Sequence, residues 1–282
     1  MQKIIITGAK GMLGQEVTRV FSADPLWQVV GWDFENLDIT DAKSVENKLT
    51  AAEPSLVINC AAYNNVDSAE NEPAKAELLN ETAVMNLAAV TSKLGATLVH
   101  FSTDYVFDGM KKDGYVEADA PNPQSVYAKT KTAGEIAARE NPNHYVIRLS
   151  RLFGKPAASV NAKKSFVDVM LALTEKHSSI DVVDGEFSSP TYAPDLARAT
   201  YDMVKLQSPF GTYHRTNDGA CTWFAFAQEI FRIAGKTVTV KPVPPEKFVR
   251  PAARPVYSQL LSTKLPPLRA WQAALAEYLG VS

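Results

Sequence analysis

Short apolar runs alternate with longer segments of helical periodicity through the first half of the chain. The apolar runs predict strands at residues 3–7, 28–32, 56–59, 97–102 and 145–149. The amphipathic segments between them predict helices at residues 14–23, 42–51, 74–94 and 126–140. Strands that alternate with helices in this way form a parallel sheet with helices on both faces. The predicted fold class is therefore α/β, with a doubly wound parallel sheet.

The pattern changes after residue 150. Helices are predicted at residues 165–176, 195–206, 223–234 and 268–279, and strands at 180–183 and 211–214. Between residues 242 and 267 a proline-rich stretch indicates turns and extended backbone. We expect a dinucleotide-binding domain at 1–150 plus 176–206, and a smaller substrate-binding domain at 151–175 plus 207–282. The cleft between them is the natural place for a substrate.

Composition narrows the range of partners. The 282 residues carry 29 Lys and Arg against 31 Asp and Glu, so no global basic field favours nucleic acid or an anionic membrane. Every apolar run is much shorter than the ~20 residues of a membrane span, and the first residue leads straight into the first strand. The 2 cysteines predict no disulfide framework, and the 4 histidines lack the spacing of metal ligands. We expect a soluble cytoplasmic protein without a metal site.

A glycine-rich turn follows the first predicted strand. Gly8, Gly11 and Gly14 stand between that strand and the next helix, as in the Rossmann-type dinucleotide site. A pyrophosphate can rest there on the N-terminus of the helix, whose free N–H groups attract anions. We include Met12 and Leu13, at the start of the helix, among the predicted cofactor contacts. The alternative is an ordinary glycine-rich turn.

Acidic residues follow the second predicted strand. Asp33 stands about 20 residues beyond the glycine turn, where a carboxylate commonly binds the adenosine ribose. This favours NADH, but Lys10 in the turn can offset repulsion of the 2′-phosphate of NADPH, so both cofactors are expected. Asp38 and Ile39 are predicted adenine contacts, with the start of a helix as the alternative role for Asp38.

A tyrosine and a lysine four residues apart indicate carbonyl reduction. Tyr127 and Lys131 share one face of the predicted helix. We expect the ammonium to lower the tyrosine pKa, which is ordinarily about 10, so that the phenol can exchange protons. Thr103 follows the fourth predicted strand, whose carboxyl end faces the ligand crevice, and its hydroxyl can polarise a carbonyl. The alternatives are a turn-capping Thr103 and a half-buried structural Tyr127.

These elements occur in the order typical of the extended short-chain dehydrogenase/reductases, which the chain resembles. More narrowly, the sequence is similar to the dTDP-4-dehydrorhamnose reductases over nearly its whole length. The shared motifs are AAYNNVDSAE at 61–70, STDYVFDG at 102–109, VYAKTKTAGE at 126–135, PTYAPDLA at 190–197, GTYH at 211–214, and RPVYSQL at 254–260. The segments beyond residue 190 are more specific than the glycine turn.

The resemblance implies reduction of the C4 ketone of dTDP-4-dehydro-L-rhamnose by NADH or NADPH. Tyr127 would protonate the C4 oxygen, Lys131 would bind the nicotinamide ribose, and Thr103 would orient the ketone. Asp104 and Tyr105 would contact the substrate. The resemblance also implies a set of supporting contacts: Ala61, Ala62 and Tyr63 along the cofactor, and Asn80 supporting the site. The alternative for Asn80 is a solvated position on its helix. Dimerisation is common among such reductases.

Two arginines bear on the sugar nucleotide. Where the family has R-x-S-W-x-x-G, residues 148–154 read RLSRLFG, so Arg151 replaces a tryptophan expected against the sugar. Its guanidinium can stack as a plane or pair with a diphosphate. Arg254 is a second candidate for the diphosphate, or else an exposed residue beside prolines.

Two other functions stay open. One is a nucleotide-sugar epimerase or dehydratase of the same superfamily; similar dehydratases have glutamate where this chain has Tyr105, which disfavours it. The other is a non-catalytic, nucleotide-binding regulatory subunit on the same fold.

Overall fold

A computed structural model describes residues 1–158 and 164–281. Its strands are β1 (Gln2–Thr7), β2 (Trp27–Trp32), β3 (Leu56–Asn59), β4 (Thr97–Thr103), β5 (His144–Leu149), β6 (Leu152–Phe153), β7 (Ser179–Val183), β8 (Thr191–Tyr192), β9 (Gly211–His214) and β10 (Thr239–Val243). Its α-helices are α1 (Met12–Ser22), α2 (Ala42–Ala52), α3 (Val66–Asn71), α4 (Pro73–Glu77), α5 (Ala83–Lys93), α6 (Val126–Arg139), α7 (Phe166–Thr174), α8 (Ala193–Lys205), α9 (Trp223–Ile233) and α10 (Trp271–Tyr278). Short 3-10 turns cover Asp104–Val106 and Pro245–Lys247.

Six strands form one parallel sheet in the order β2-β1-β3-β4-β5-β9. The chain moves from β1 outward to β2 and then returns to place β3 on the other side of β1. This reversal opens a crevice at the carboxyl ends of β1 and β3, where ligands bind in open α/β sheets. The predicted doubly wound α/β class is confirmed.

Helices cover both faces of the sheet, and successive side chains along each strand point to alternate faces. Ile4 and Ile6 pack with α1 and α8 on one face, whereas Ile5 packs with α2 and α5 on the other. All three isoleucines are buried, as expected for strands whose successive side chains point to opposite covered faces. The near-continuous apolar runs in the sequence therefore reflect burial on two sides.

A smaller region follows β5. Its core packs α7, α9 and α10 around Phe153, Phe226 and Trp271. Strand β7 pairs with β10, whereas β9 is the edge strand of the large sheet beside β5. The predicted division placed these strands the other way round, because periodicity reveals a strand but not its partner.

The helix predicted at 74–94 has an interruption. A π-helical turn, Leu78–Thr82, joins α4 to α5. It brings the Asn80 carbonyl so close to α6 that a Cβ atom on Gly134 would lie 2.1 Å from that oxygen. Gly134 is therefore required by the close helix packing, and Asn80 is held directly behind the crevice.

No helix among residues 1–158 and 164–281 has both the length and the apolar character needed to cross a membrane.

Candidate active site

One cleft of about 1650 Å³ runs from the glycine turn to the smaller region. Every residue predicted to bind cofactor or substrate lines it: Gly8, Gly11, Met12, Leu13, Asp33, Asp38, Ile39, Ala61, Ala62, Tyr63, Thr103, Asp104, Tyr105, Tyr127, Lys131, Arg151 and Arg254. The volume exceeds the roughly 300–1,000 Å³ of single-ligand pockets. It is large enough for a dinucleotide and a sugar nucleotide together.

The glycine turn is built for an anion. Gly8 has φ of 67°, in the left-handed region that favours glycine, and its carbonyl accepts a 3.0 Å hydrogen bond from Gly11 N–H. Helix α1 begins directly afterwards, and its N-cap, Gly11, has no side chain to cap the first N–H groups. These groups and the helix dipole suit a pyrophosphate. The residues present therefore fit a dinucleotide.

The end of β2 carries the acidic rim of the cleft. The Asp33 carboxylate accepts a 3.0 Å hydrogen bond from the Lys10 backbone N–H, which ties the rim to the glycine turn. The Lys10 ammonium pairs with Glu35. Both side chains are about half exposed, so this weak surface pair competes with a 2′-phosphate for Lys10 without removing its charge.

Asp38 and Ile39 lie further along the same wall. Asp38 accepts hydrogen bonds from Thr40 N–H at 2.9 Å and from its hydroxyl at 2.7 Å. Helix α2 is capped by the side chain of Asp41. The alternative role for Asp38, which was to start that helix, therefore belongs to Asp41. Ile39 is buried in the core beneath the wall.

Asn80 supports the segment that follows β3. Its side-chain oxygen accepts from Tyr63 N–H at 2.8 Å, and its amide donates to the Tyr63 carbonyl at 3.1 Å. The same amide lies 3.2 Å from the Thr130 hydroxyl on α6. Asn80 therefore links the backbone of the predicted cofactor wall to the helix that bears Tyr127.

Helix α6 places Tyr127 and Lys131 in the cleft. The Ser125 hydroxyl caps the helix by accepting from Ala128 N–H, so Tyr127 lies in its first turn. Both side chains are buried, at 8% and 2% exposure. The Lys131 ammonium donates a 2.6 Å hydrogen bond to the Phe101 carbonyl on β4.

The expected lowering of the Tyr127 pKa is wrong for this geometry. Burial raises the pKa of Tyr127 to about 12, although a hydrogen bond with Thr103 acts in the opposite direction. Lys131 does not counteract the burial, because its ammonium is directed to Phe101. Burial also lowers the pKa of Lys131 itself to about 8, despite the opposing charge of Glu135.

A buried polar chain lies behind Lys131, and sequence reasoning missed it. The Asn59 side-chain oxygen accepts from Thr7 at 2.7 Å and from Ala61 N–H at 3.1 Å, so its amide must be the group that faces His100 Nδ1 at 3.2 Å. The network therefore assigns the ring proton to Nε2, 3.5 Å from Lys131 Nζ. A neutral His100 that directs its N–H at Lys131 disfavours the ammonium.

Thr103 and Asp104 end β4 beside Tyr127. The Thr103 hydroxyl donates to Asp104 at 3.1 Å and accepts from Tyr105 N–H at 3.2 Å, so it also caps the short turn that follows. Asp104 in turn accepts from Ser258 at 2.6 Å and Ser188 at 2.9 Å. Burial raises the pKa of Asp104 despite these donors. Tyr105 lies edge-on to Tyr127, with ring centres 6.0 Å apart.

Arg254 has an unforeseen partner. It forms a bidentate pair with Asp67, at 3.0 Å and 2.6 Å, although 187 residues separate the two in the chain. Asp67 belongs to the 61–70 motif, and nothing in its local sequence indicated this role. Arg250, also in the cleft wall, pairs with Glu186. Both arginines are thus fixed by carboxylates from opposite sides of the cleft.

Residues 1–281 match the family described as RmlD substrate binding domain. The chain belongs to this family. It is 38% identical to a dTDP-4-dehydrorhamnose reductase from Streptomyces griseus, across 97% of this chain and 91% of the relative. It is 35% identical to the spore coat polysaccharide biosynthesis protein SpsK of Bacillus subtilis, across 99% of this chain and 97% of the relative.

Solved structures agree with the family assignment. A dTDP-4-dehydrorhamnose reductase from Clostridium acetobutylicum superimposes with a TM-score of 0.94 at 38% identity, covering 99% of each chain. One from Bacillus anthracis, in complex with NADP, gives 0.93 at 34% identity and covers 100% of each. The resemblance inferred from the motifs is confirmed.

Arg151 is the departure from the family motif. Its φ is 43°, in the left-handed region that is uncommon for residues other than glycine. Its guanidinium carbon lies 3.9 Å from the centre of the Trp223 ring, and its terminal nitrogens donate at 2.7 Å to the carbonyls of Cys221 and Glu186. Arg151 therefore stacks on a protein side chain, and its predicted contact with the sugar or the diphosphate stays a prediction. The stacking partner, Trp223, was not foreseen.

Proposed function

We propose that this protein reduces the C4 ketone of dTDP-4-dehydro-L-rhamnose to dTDP-L-rhamnose, with NADH or NADPH as reductant. The observation that carries the proposal is the meeting of Thr103, Tyr127 and Lys131 in one cleft with the glycine turn, in a chain of this family. We propose residues 8–63 as the cofactor side. The substrate side holds Asp104, Tyr105, Arg151 and Arg254.

A nicotinamide held along residues 8–63 would supply the hydride that the sugar C4 receives. The Thr103 hydroxyl, which donates to Asp104 in the absence of substrate, would turn its one proton to the ketone oxygen. Tyr127 then gives its proton to that oxygen, which completes the alcohol and leaves a phenolate that solvent reprotonates. A pKa of about 12 keeps the phenol protonated at neutral pH, and a developing alkoxide is basic enough to take the proton. Lys131 would bind the nicotinamide ribose.

The buried Tyr105 disfavours the dehydratase alternative. Moving protons at C5 and C6 requires a base, and burial raises the pKa of Tyr105 further above its ordinary value. A phenol so held does not act as a base near neutral pH. The regulatory-subunit alternative predicts nucleotide binding without turnover, so it is distinguished by assay.

The test is oxidation of NADH or NADPH in the presence of dTDP-4-dehydro-L-rhamnose, with the product identified by mass spectrometry. Tyr127→Phe should lower kcat by about 10²–10⁴-fold, the usual contribution of a general acid, and leave cofactor binding unchanged. The matched control is Tyr145→Phe, which removes a hydroxyl bonded to the Ser208 carbonyl. Undiminished turnover in Tyr127→Phe would refute the proton-donor role, and an inactive wild-type protein would favour the regulatory subunit.

A cytoplasmic location and a homodimer, both expected from the sequence, belong to the same proposal. Cell fractionation and light scattering of the purified protein would test them.

A further inference from the structure

Asn59 has one orientation in the polar chain behind Lys131. Its side-chain oxygen accepts from the Ala61 backbone N–H at 3.1 Å, and a backbone N–H can only donate. The Thr7 hydroxyl donates to the same oxygen at 2.7 Å. The amide nitrogen of Asn59, which only donates, is therefore the atom that faces His100 Nδ1 at 3.2 Å. The backbone of Ala61 thus decides which end of the Asn59 side chain meets the imidazole.

The imidazole of His100 is held neutral with its proton on Nε2. Because Nδ1 accepts from the Asn59 amide, a proton on Nδ1 would set two donors against each other. The imidazolium carries protons on both nitrogens and is disfavoured for the same reason. Burial lowers the pKa of His100 well below its ordinary value, and the positive charge of Lys131 acts in the same direction. The tautomer and the charge of His100 are therefore both fixed.

The Nε2–H group of His100 faces the nitrogen of Lys131. The two nitrogens are 3.5 Å apart, beyond the roughly 2.7–3.2 Å of a good N–H···O hydrogen bond. The lysine nitrogen instead donates to the Phe101 carbonyl at 2.6 Å. An ammonium has no lone pair and cannot accept from Nε2–H, whereas a neutral amine can. The amine therefore satisfies both neighbours, and the ammonium satisfies one.

Charged groups on neighbouring elements also act on Lys131. Burial lowers the pKa of Lys131 to about 8, although the charge of Glu135, one turn further along α6, opposes this. Glu135 is itself bidentate to Arg148 on β5, so its charge is shared with that guanidinium. The cleft side carries further titratable groups: Asp104, Tyr105 and Tyr127. Behind the lysine, on β4, His100 presents an N–H group and no charge.

We propose that Asn59 and His100 are positioning residues for Lys131, a role that rests on the proposed function: Asn59 keeps the ring proton of His100 on Nε2, and that N–H group opposes the ammonium form of the lysine. The oxygen of Asn59 also holds the backbone of Ala61, on the predicted cofactor wall. One side chain at the end of β3 thus connects that wall to the lysine that would meet the cofactor.

Nuclear magnetic resonance can read the tautomer directly. Spectra that correlate ring protons with ring nitrogens, recorded with isotope-labelled histidine, show which nitrogen carries the proton, and the chain has only 4 histidines. The His100 signals are identified by their loss in His100→Phe. If that variant does not fold, they are identified by elimination, with variants of His144, His177 and His214. We expect the neutral Nε2–H form in the wild type. A neutral Nδ1–H form or a cationic ring at neutral pH would overturn the proposal.

Asn59→Asp should reverse the arrangement. A carboxylate only accepts, so it should draw the ring proton to Nδ1 and leave a lone pair on Nε2 for the Lys131 ammonium. The pKa of Lys131, followed through the carbon next to Nζ in labelled lysine, should then rise by about 1 pH unit or more. The signal is identified by its loss in Lys131→Arg. A changed tautomer with an unchanged lysine titration would refute the link between the two residues.

The added carboxylate also brings a charge, and His100→Phe separates the two effects. Without the imidazole no ring proton can move, so Asn59→Asp should raise the Lys131 pKa markedly less in this background than in the wild type. An equal rise would show that the charge acts directly on Lys131, and it would contradict the role of His100. If Asn59→Asp does not fold, Asn59→Ala removes the donor to Nδ1 and should give a mixture of both tautomers. A pure Nε2–H form in Asn59→Ala would remove Asn59 from the proposal.

Asn141→Asp is the matched control for a buried carboxylate. Asn141 is fully buried, donates to Thr91 and to the Ala96 carbonyl, and lies outside the lining of the cleft. Its substitution should leave the His100 tautomer and the Lys131 titration unchanged. A rise in the Lys131 pKa equal to that in Asn59→Asp would count against a specific role for Asn59.

The outcomes distinguish this inference from the proposed function. Both resonance measurements use the free protein and need neither cofactor nor turnover. A wild-type protein with the Nε2–H tautomer and the expected variant shifts, but without oxidation of NADH or NADPH, would refute the reductase alone. An active reductase whose His100 carries its proton on Nδ1 would refute the positioning role alone.

Discussion

The ammonium of Lys131 lies 2.6 Å from the carbonyl oxygen of Phe101 and donates a hydrogen bond to it. This contact directs the cation to the end of β4 and away from the Tyr127 phenol. The two residues of the Y-x-x-x-K motif therefore titrate far apart: burial lowers the pKa of Lys131 to about 8 and raises that of Tyr127 to about 12.

Activity should decline as pH rises through about 8, because Lys131 then loses the proton with which it binds the ribose. Tyr127, at about 12, stays protonated throughout this range. The measurement is kcat/KM against pH, which reports groups of the free enzyme. Lys131→Arg, whose charge does not titrate, should be less active but lack this decline. A basic limb that persists in Lys131→Arg would assign it to another group.

Breaking the Asp67–Arg254 pair should impair substrate binding more than stability. Asp67→Asn leaves Arg254 without its bidentate partner, and we expect KM for the sugar nucleotide to rise by about five- to tenfold with kcat nearly unchanged. The free energy of unfolding should change by less than about 1 kcal/mol, since the pair is partly exposed.

The matched control is Glu229→Gln, which breaks the pair with Arg232 on α9. If Asp67→Asn and Glu229→Gln had the same KM for the sugar nucleotide, the pairing of Asp67 with Arg254 would have no role in substrate binding. A double-mutant cycle of Asp67→Asn with Arg254→Met should give a coupled, non-additive effect.

Glu135 should dominate stability around α6. It is fully buried and bidentate to Arg148, at 2.7 Å and 2.7 Å, and it also binds Arg139. Removing one partner of such a pair leaves the other charge buried without a counter-charge. Glu135→Gln should therefore lower the free energy of unfolding by about 3–5 kcal/mol in urea titrations. Glu46→Gln, which breaks the exposed pair with Lys93, should cost less than about 1 kcal/mol.

The stabilisation that the Glu135–Arg148 pair provides depends on pH. Burial alone would raise the pKa of Glu135, but the hydrogen bonds and charge of Arg148 outweigh it, and the net pKa is lowered. The stabilisation is therefore complete above the unfolded pKa of about 4.3 and is lost as pH falls through the lower folded value. Wild type and Glu135→Gln should converge in stability at acid pH. A constant difference would show that charge is not the cause.

Cofactor preference should depend on Asp33 and Glu35. Removing the carboxylate in Asp33→Ala should raise KM for NADH and increase the preference for NADPH by about tenfold or more, because repulsion of the 2′-phosphate is relieved. Glu35→Gln should act in the same direction but more weakly, by releasing Lys10. Equal losses for NADH and NADPH in Asp33→Ala would remove Asp33 from the ribose site.

The sequence predicted the features that depend on local pattern. Periodicity located the strands of the large sheet and the glycine turn, and motif spacing placed Tyr127 and Lys131 on one helix. The sequence does not show which distant segments pair with each other. For this reason β7 and β9 were each assigned to the wrong part of the molecule. The π-helical turn at Leu78–Thr82 was missed because its residues keep an ordinary helical pattern.

In the candidate active site, too, contacts between distant segments could not be predicted from the sequence. The sequence predicted side chains that the fold brings into one cleft, but it did not predict their hydrogen-bond partners. The pKa of Tyr127 was misjudged because four residues along a helix fix a shared face, whereas the direction of a lysine ammonium depends on the strand behind it. The stacking of Arg151 on Trp223 depends on two loops that meet only in the folded chain.

The hydrogen bonds that complete the substrate side connect residues far apart in the chain. Ser258 reaches Asp104 across 154 residues, and Arg254 reaches Asp67 across 187. Contacts at such separations require large loops to close, and closing a larger loop costs more conformational entropy. The glycine turn and Asp33, by contrast, are joined by a hydrogen bond across 23 residues. The contact between the glycine turn and Asp33 thus closes a short loop, whereas the substrate side of the cleft is complete only when residues 254–258 join it.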